Sequence, residues 1–362
     1  MTVDLTTRSK VRVLVVDDSA FMRTALSRMI TSEHSFEVVG TACSGAEALD
    51  KIPVLDPDVI TLDVEMPGLN GLQALHRIMA QFPRPVIMVS AATEKDADAT
   101  FNALSAGAFD YIPKQLSSAS LDILHIRQDL VDKIRAAALS RRPSSAGTFF
   151  RKPPQPSASE FSDGGFCTPA IVALGSSTGG PKALQEILPL LPADLSVPIL
   201  IVQHMPRGFT APFAQRLNNL CAVSVVEAAH RDLISPGVVY IAPAGMHMTV
   251  ERPSDSRAFI CLDTHPENCP HMPSVDILML SIAKTFRNLA MGIILTGMGS
   301  DGAEGMMTIH RHGGLTIGQD EASCIVYGMP RACAELGALT RAVPLSQIPA
   351  QIIEATRARK RA

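Results

Sequence analysis

The stretch IVALGSSTGGP, residues 171–181, joins a short apolar strand to a turn of glycine and serine and then to a proline. Pro181 suits the first position of a helix, because an N–H group there has no partner within the helix. The turn contains the pattern G-x-S-x-G with Ser177 at its centre, which exposes the serine hydroxyl beside the N–H groups of a helix N-terminus. We expect an α/β sheet here, and either a nucleophilic serine or a structural or phosphate-binding turn.

Two more polar residues follow apolar strands in this half of the chain. His204 follows the predicted strand at 198–202, and Asp301 lies just after the predicted strand Met291–Leu295. Because the carboxyl ends of parallel strands meet at one edge of a sheet, Ser177, His204 and Asp301 are expected to lie together. Such a set can transfer an acyl group: the serine attacks, the histidine moves the proton and the aspartate orients the imidazole. Their order along the chain differs from that of the α/β-hydrolases, which excludes that fold but not this chemistry.

The loop after the last of these strands also fits a different function. Gly297, Gly299 and Gly302 have the G-x-G-x-x-G spacing of dinucleotide-binding loops, and Asp320 follows the further predicted strand Leu315–Gly318. An NAD-dependent oxidoreductase is therefore an alternative prediction. It would leave the serine and the histidine without a shared role.

The remaining pattern of the second half is one of short strands separated by helices, which predicts a doubly wound α/β domain. A β-hairpin insertion is predicted between Val238–Ile241 and Met248–Val250, with its turn at Pro243–Gly245.

The first half shows the same alternation of apolar strands and helical patterns, and polar residues again follow the strands. The predicted strands are Val11–Val16, Phe36–Thr41, Val59–Leu62, Val86–Ser90 and Ala108–Ile112. Three carboxylates are expected at the carboxyl edge of this sheet, where Asp17 and Asp18 follow the first strand and Asp63 follows the third. Ser90 ends the fourth strand and Lys114 follows the fifth, so a hydroxyl and a positive charge join the same edge.

Clustered carboxylates repel one another unless a cation neutralises them, and Mg²⁺ prefers such oxygen ligands. The acidic edge therefore predicts a Mg²⁺ site at which a phosphoryl group could be stabilised. The alternative is that Asp17 and Asp18 only cap the helix that begins near Ala20.

Length and composition indicate two domains. At 362 residues the chain exceeds the usual size of a single core, and its 46% hydrophobic and 19% charged residues are typical of folded protein. Residues 140–165 are rich in proline, serine and glycine and are predicted to form a flexible linker. A formal net charge of −3 and a nearly neutral second half disfavour nucleic-acid binding and a DNA-binding regulator.

The sequence also allows a prediction of the cellular compartment. No stretch approaches the ~18 apolar residues that a membrane-spanning helix needs. The N-terminus has no secretory signal, and the seven cysteines contain no C-x-x-C pair, so reduced thiols are expected. We expect a cytoplasmic, monomeric protein without membrane insertion.

Over residues 10–135 these motifs resemble the receiver domain of two-component response regulators, a flavodoxin-like fold with a five-stranded parallel sheet. The resemblance implies that Asp63 is the phosphoacceptor and that the backbone carbonyl of Glu65 joins Asp17, Asp18 and Asp63 in holding Mg²⁺. It also implies that Ser90 and Lys114 contact the phosphoryl group. Tyr111 is the implied switch residue, an aromatic side chain whose packing changes on phosphorylation. Receivers usually follow the lysine with proline, whereas Gln115 follows it here, so a trans bond is expected after Lys114.

Over residues 168–355 the motifs GSSTGG, QHMP and TGMGSDG resemble the catalytic domain of the chemotaxis protein-glutamate methylesterases, the CheB family. The resemblance implies a Rossmann-like sheet that binds no dinucleotide, with Ser177, His204 and Asp301 as the catalytic triad. It further implies that Thr178 and the backbone N–H of Met298 support the oxyanion and substrate. Residues 271–276 resemble a segment that lines the family's substrate cleft; the alternative is a helix start capped by Ser274.

The two resemblances together imply a phosphorylation-activated serine hydrolase. Its expected reactions are hydrolysis of glutamate methyl esters on chemoreceptors, which releases methanol, and deamidation of particular receptor glutamines. The implied partners are the methyl-accepting chemoreceptors as substrate and the histidine kinase CheA as phosphodonor, with Mg²⁺ at the receiver and no cofactor for the ester hydrolysis. A non-catalytic response-regulator scaffold is the other alternative, and it requires that the triad residues do not converge.

Overall fold

A computed structural model describes residues 10–91, 94–114, 120–140, 167–253, 257–267 and 269–357. The chain divides into two compact units, Met1–Arg141 and Arg142–Ala362. Nearly all of the predicted linker, residues 141–165, lies outside the described residues. None of the described helices is long and apolar enough to span a membrane.

The first unit contains one parallel sheet of five strands with the order β2-β1-β3-β4-β5. The strands are β1 (Val11–Val16), β2 (Phe36–Ala42), β3 (Val59–Asp63), β4 (Val86–Ser90) and β5 (Asp110–Pro113). The helices are α1 (Ala20–Thr31), α2 (Gly45–Leu55), α3 (Gly71–Gln81), α4 (Glu94–Ser105) and α5 (Ser120–Ser140). The predicted flavodoxin-like α/β fold of this half is confirmed.

Local sequence explains most of these elements. Every residue of β3 and β4 is buried, as expected for strands of a parallel sheet that is covered on both faces. Helix α1 begins after Ser19, whose side chain accepts a hydrogen bond from the N–H of Met22. Helix α3 begins with a capping box, in which Asn70 and Gln73 satisfy each other's backbone N–H groups.

The second unit contains a sheet of seven parallel strands with the order β14-β13-β12-β6-β7-β9-β8. The strands are β6 (Ile171–Ser176), β7 (Ile199–Gln203), β8 (Ser224–Glu227), β9 (Val238–Ile241), β12 (Ala290–Ile294), β13 (Leu315–Gln319) and β14 (Arg341–Val343). The helices are α6 (Gly180–Ile187), α7 (Thr210–Leu220), α8 (Val275–Phe286), α9 (Ala303–Arg311), α10 (Met329–Glu335) and α11 (Ile348–Arg357). The predicted doubly wound α/β fold is confirmed for this half as well.

The hairpin of the second unit lies elsewhere than predicted. It is formed by β10 (His247–Glu251) and β11 (Phe259–Asp263), which pair antiparallel as a separate two-stranded sheet. The predicted pairing of Val238–Ile241 with Met248–Val250 is wrong, because β9 pairs parallel with β7 and β8 inside the main sheet. A strand's own alternation does not specify its partner, and the Pro243–Gly245 turn leads out of the sheet rather than back along it.

Candidate active site

Each unit has a point where the chain reverses its direction of winding across the sheet. In the first unit, β1 lies between β2 and β3, and in the second unit β6 lies between β7 and β12. In open α/β sheets, ligands bind at the carboxyl ends of the strands at such a switch point. The candidate residues of both units lie at these two places.

The acidic cluster of the first unit is formed as predicted. Carboxylate oxygens of Asp17, Asp18 and Asp63 lie within 4.8 Å of one another, and they are the only set of three or more possible metal ligands in the described part of the chain. Asp17 and Asp63 are buried, whereas Asp18 is exposed. The Nζ atom of Lys114 lies 2.6 Å from Asp63 Oδ2 and 3.1 Å from Asp17 Oδ2, so a positive charge faces both buried carboxylates.

Burial has a large effect on Asp63. It raises the pKa of the carboxyl from the ordinary 3.8 to about 6, although the hydrogen bond and charge of Lys114 act in the opposite direction. Burial also acts to lower the pKa of Lys114, but the Asp63 and Asp17 carboxylates outweigh it and raise that pKa. The set consists of hard oxygen donors with a shortage of positive charge, which fits Mg²⁺. The N–H of Glu65 donates to Asp63 Oδ1 at 3.1 Å, which keeps Glu65 beside the pocket, while the role of its carbonyl stays a prediction.

The remaining predicted receiver residues lie on the neighbouring strands. Ser90 is buried at the end of β4; its Oγ accepts a hydrogen bond from Thr100 Oγ1 at 2.8 Å, and its carbonyl accepts one from the N–H of Lys114 at 2.7 Å. The Tyr111 ring is buried, with 2% of the residue exposed. Lys133 of α5 donates to the Tyr111 carbonyl at 2.7 Å and lies 5.4 Å from the centre of its ring, a contact that the sequence did not reveal. The bond between Lys114 and Gln115 lies outside the described residues.

Ser177 lies in a tight turn between β6 and α6. Its N–H donates to the carbonyl of Thr296 at 3.1 Å. This bond holds the turn against the loop that follows β12. Gly179 adopts φ +77°, a conformation that strains residues with a Cβ atom. A Cβ atom on Gly297 would lie 2.9 Å from the Cβ atom of Ser177, so glycine is needed there for the two loops to approach.

Gln203, the last residue of β7, links this turn to the histidine loop. Its Nε2 atom donates to the carbonyls of Ser177 and His204, both at 2.9 Å, while its Oε1 atom accepts from Ser176 Oγ at 2.6 Å. The side chain is buried, with 1% of the residue exposed. Sequence reasoning missed this residue; the only signal was its place at the end of a buried strand directly before His204.

His204 and Asp301 meet across the switch point. His204 Nε2 lies 2.8 Å from Asp301 Oδ2, and both side chains are only 10% exposed. The carboxylate can only accept a hydrogen bond, so Nε2 carries a proton, and in the neutral form of the ring Nδ1 keeps its lone pair. Nδ1 is buried and has no hydrogen-bond partner among the described residues, Ser177 included. The imidazole therefore has one nitrogen held by the aspartate and the other available to a proton donor.

The Asp301 carboxylate lies at the N-terminus of α8. Its Oδ1 accepts from Ser274 Oγ at 2.8 Å and from the Asp276 N–H at 3.0 Å, and its Oδ2 accepts from the Val275 N–H at 2.7 Å. Burial acts to raise the pKa of Asp301, but the hydrogen bond from His204, the charge of that ring when it is protonated, and these N–H groups hold it well below its ordinary value. Asp301 is therefore ionised and oriented by four donors. Ser274 also caps α8, as the alternative interpretation of this segment predicted, with Oγ accepting from the Ile277 N–H.

His271 is a second residue whose position the sequence did not reveal. Its ring stacks on the His204 ring, with centroids 4.1 Å apart and planes inclined by 18°. His271 therefore covers one face of the His204 ring, while Asp301 is hydrogen-bonded to Nε2 at the edge of that ring. The segment 271–276 thus contacts both members of the pair, His204 through His271 and Asp301 through the start of α8.

The glycine-rich loop before α9 serves this packing. A Cβ atom on Gly302 would lie 2.7 Å from Val275 Cγ1, so Gly302 lets Asp301 approach the start of α8. Met298 directly follows Gly297, the glycine that packs on Ser177. Thr178 is buried, and its carbonyl accepts a hydrogen bond from Thr296 Oγ1 at 3.0 Å. Their expected roles toward an oxyanion stay predictions. The spacing that suggested dinucleotide binding is accounted for by close contacts within the protein at Gly297 and Gly302.

Both units of the chain are similar to known proteins. The family model for CheB methylesterase matches residues 172–352, and that for the response regulator receiver domain matches residues 13–124. The chain is 44% identical over 350 residues to a protein-glutamate methylesterase/protein-glutamine glutaminase of Bacillus subtilis, covering 94% of this chain and 97% of the relative. A relative of the same name from Geobacter sulfurreducens is 44% identical over 355 residues, covering 95% of this chain and 97% of that one.

The second unit is also similar to a solved structure. The crystal structure of the Thermotoga maritima CheB methylesterase catalytic domain matches with a TM-score of 0.50 and 37% identity, covering 52% of this chain and 99% of that domain. These matches support the prediction of a methylesterase and give no support to the oxidoreductase or scaffold alternatives. The chain therefore belongs to the CheB methylesterase family, with a response regulator receiver domain preceding the methylesterase domain.

Proposed function

We propose that this chain hydrolyses glutamate methyl esters on the cytoplasmic domains of chemoreceptors, with release of methanol, and deamidates receptor glutamines. The observation that carries the proposal is the His204–Asp301 pair, 2.8 Å apart, whose free imidazole nitrogen lies at the same switch point as Ser177. The names of the relatives support the substrate class, since they are protein-glutamate methylesterases and protein-glutamine glutaminases.

In the proposed reaction, Ser177 Oγ attacks the γ-carbonyl carbon of the methylated glutamate. His204 Nδ1 takes the hydroxyl proton, while Nε2–H stays bonded to the Asp301 carboxylate, which stabilises the imidazolium. The tetrahedral intermediate collapses as the proton passes to the methoxide, so methanol leaves and an acyl-serine remains. Water then attacks this ester by the same route and releases glutamate. A glutamine substrate follows the same steps with ammonia as the leaving group.

The oxyanion would be stabilised by backbone N–H groups. The start of α6 directs N–H groups and the positive end of its dipole toward the Ser177 turn, and we assign the Met298 N–H to the same role on the opposite side. Thr178 would support the substrate beside the nucleophile.

We further propose that phosphorylation of Asp63 by the histidine kinase CheA activates the hydrolase. The carboxylates of Asp17, Asp18 and Asp63, with the Glu65 carbonyl, would hold Mg²⁺, which would neutralise charge on the phosphoryl group when bound. Lys114 and Ser90 would contact the phosphoryl oxygens, and Tyr111 would change its packing when Ser90 is engaged.

The substrate is tested by incubating the full chain with membranes that carry methylated receptors and with a small phosphodonor. We expect methanol in the supernatant and free glutamate side chains at the methylation sites by mass spectrometry. Membranes whose receptors lack methyl groups are the control. If methylated membranes yield no more methanol than this control, the proposed function is wrong.

Replacing Asp63 with asparagine is expected to abolish the response to phosphodonor, because an amide cannot form the acyl phosphate. Methanol release should rise on phosphodonor addition in the wild type and stay at its basal rate in Asp63→Asn. Asp58→Asn, a change to a partly buried carboxylate outside the cluster, is the matched control and should respond like the wild type. Stimulation of Asp63→Asn equal to that of the wild type would contradict the assignment of the phosphoacceptor.

Mg²⁺ is expected to stabilise the chain against heat, because it neutralises the buried carboxylates only in the folded protein. A tenfold excess of free metal over its dissociation constant contributes about 1.4 kcal/mol, or a rise in melting temperature of about 3–6 °C for a domain of this size. Thermal unfolding followed by circular dichroism, with NaCl at matched ionic strength as control, measures the shift. Asp17→Ala should lose it, and an equal shift in that variant would show that Mg²⁺ binds elsewhere.

A further inference from the structure

His247 lies behind the proposed triad, at the start of the hairpin strand β10. The residue is fully buried, and both ring nitrogens lie within hydrogen-bond distance of protein groups. Its Nδ1 accepts the backbone N–H of Ser274 at 3.2 Å, and its Nε2 lies 3.3 Å from the carbonyl of Pro266. A backbone N–H can only donate and a carbonyl can only accept, so the ring is neutral with its proton on Nε2.

Electrostatics agree with this protonation state. Burial lowers the pKa of His247, while the Pro266 carbonyl and the Asp301 and Asp263 carboxylates act in the opposite direction. Asp263 is the register partner of His247 across the hairpin.

The residue bonded to His247, Ser274, is the first of three consecutive residues that donate hydrogen bonds to the Asp301 carboxylate. Asp301 receives its three donors, other than His204, from consecutive residues: the hydroxyl of Ser274 and the N–H groups of Val275 and Asp276. The direction of these donors depends on the peptide that enters α8 at Ser274. The turn before β10 makes a second bond to the same segment, from the Gly245 N–H to the Met272 carbonyl at 3.0 Å.

We propose that His247 is a positioning residue for the hydrolase reaction, which orients the start of α8 so that Ser274, Val275 and Asp276 hold the Asp301 carboxylate against His204 Nε2. The inference rests on the proposed role of Asp301 and extends it to a residue that touches neither substrate nor the reacting atoms. It predicts that the Nδ1 acceptor matters for turnover, while the bond to Pro266 matters less.

Three variants separate the two ring nitrogens. His247→Asn places an amide oxygen near the position of Nδ1 and keeps the acceptor for the Ser274 N–H. His247→Gln places its amide near the position of Nε2 and loses that acceptor, and His247→Leu loses both bonds. We expect kcat for methanol release to fall about 10–100-fold in the Gln and Leu variants, as for other small misplacements of catalytic groups, with KM nearly unchanged. The Asn variant should stay within about threefold of the wild type.

The rate at which a fluorophosphonate labels Ser177 gives a second readout that needs no receptor, and it should follow the same order. His230→Leu is the matched control. The Nδ1 atom of His230 also accepts a backbone N–H, from Leu262 at 3.1 Å, but His230 is exposed and makes no bond to the Asp301 site in the described structure. Both rates should be unchanged in this control.

Nitrogen-15 NMR of the wild-type ring tests the premise without any substitution, and it should show a neutral His247 with the proton on Nε2. A proton on Nδ1 would overturn the proposal, and so would an Asn variant as slow as the Leu variant. If the Leu variant does not fold, the reaction rates of the Asn and Gln variants still show whether the Nδ1 acceptor is needed. Wild-type protein that is labelled at Ser177 but releases no methanol contradicts the proposed substrate, whereas equal Asn and Gln rates contradict only the role of His247.

Discussion

Replacing Ser177 with alanine is expected to lower methanol release by at least about 10³-fold, because alanine has no hydroxyl with which to form the proposed acyl intermediate. Labelling by fluorophosphonate should disappear as well. The fold should persist, since the bonds that hold the turn are made by the Ser177 backbone, to Thr296 and Gln203, and are kept by alanine. Methanol release under saturating phosphodonor, together with a thermal melt of both proteins, measures the effect.

The adjacent residue, Ser176, provides a matched control for this prediction. Ser176 is fully buried, and its hydroxyl donates to Gln203 Oε1 at 2.6 Å, so it cannot reach a substrate. We expect Ser176→Ala to keep methanol release within about tenfold of the wild type and to keep the fluorophosphonate label, with a loss of stability of about 1 kcal/mol for the missing hydrogen bond. If Ser177→Ala is as active as Ser176→Ala, the nucleophile has been assigned to the wrong residue.

Replacing Asp301 with asparagine is expected to lower methanol release by about 10³–10⁴-fold, although the side chain keeps its size. The carboxylate accepts from His204 and from three donors at residues 274–276, and an amide must direct its NH₂ group at one or more of them. An NH₂ group facing Nε2 would move the ring proton to Nδ1. His204 could then no longer accept the proton of Ser177.

Stability should change in a way that depends on pH. Because the pKa of Asp301 is lowered by folding, its carboxylate contributes stability above about pH 4, the ordinary range for aspartate, and this contribution is lost as the pH falls further. Urea unfolding should therefore show the largest gap between wild type and Asp301→Asn near pH 7 and a smaller one in acid. A gap that widens in acid would contradict the sign of the shift.

Asp276→Asn is the matched control for the loss of a partly buried carboxylate at the start of α8. Burial raises the pKa of Asp276, and its Oδ1 accepts from the Gly305 N–H at 2.7 Å, a bond that an amide oxygen can keep. We expect its methanol release to fall far less than that of Asp301→Asn. Equal losses would indicate that negative charge near α8, rather than the orientation of His204, is what the reaction needs.

Much of both sites could be predicted because the relevant signals are local. Asp17, Asp63 and Ser177 each end or follow a buried apolar strand, and that position alone directs them to the carboxyl edge of a parallel sheet. Ser274 could be identified as a helix cap from its residue type and place. The same reasoning placed His204 and Asp301 at one edge.

Other features had no local signal. The hairpin was assigned to the wrong strands, because alternation marks β9 and β10 as strands without naming their partners. Gln203 and His271 are polar residues beside a predicted site, and nothing in their spacing indicates that one bridges two loops and the other stacks on His204. Side chains that act across the sheet are found only when the order of its strands is known.

Local patterns along the chain are enough to predict two α/β units, their buried strands and the residues at the strand ends, because burial and capping depend on neighbours in the sequence. The position of β6 between β7 and β12 is visible only in the assembled fold, and it brings Ser177, His204 and Asp301 to one switch point. The same is true of the contact between Asp301 and the free N–H groups at the start of α8. These contacts join residues about 25 to 100 positions apart, and their energies depend on how crossover connections pack, which no single segment encodes.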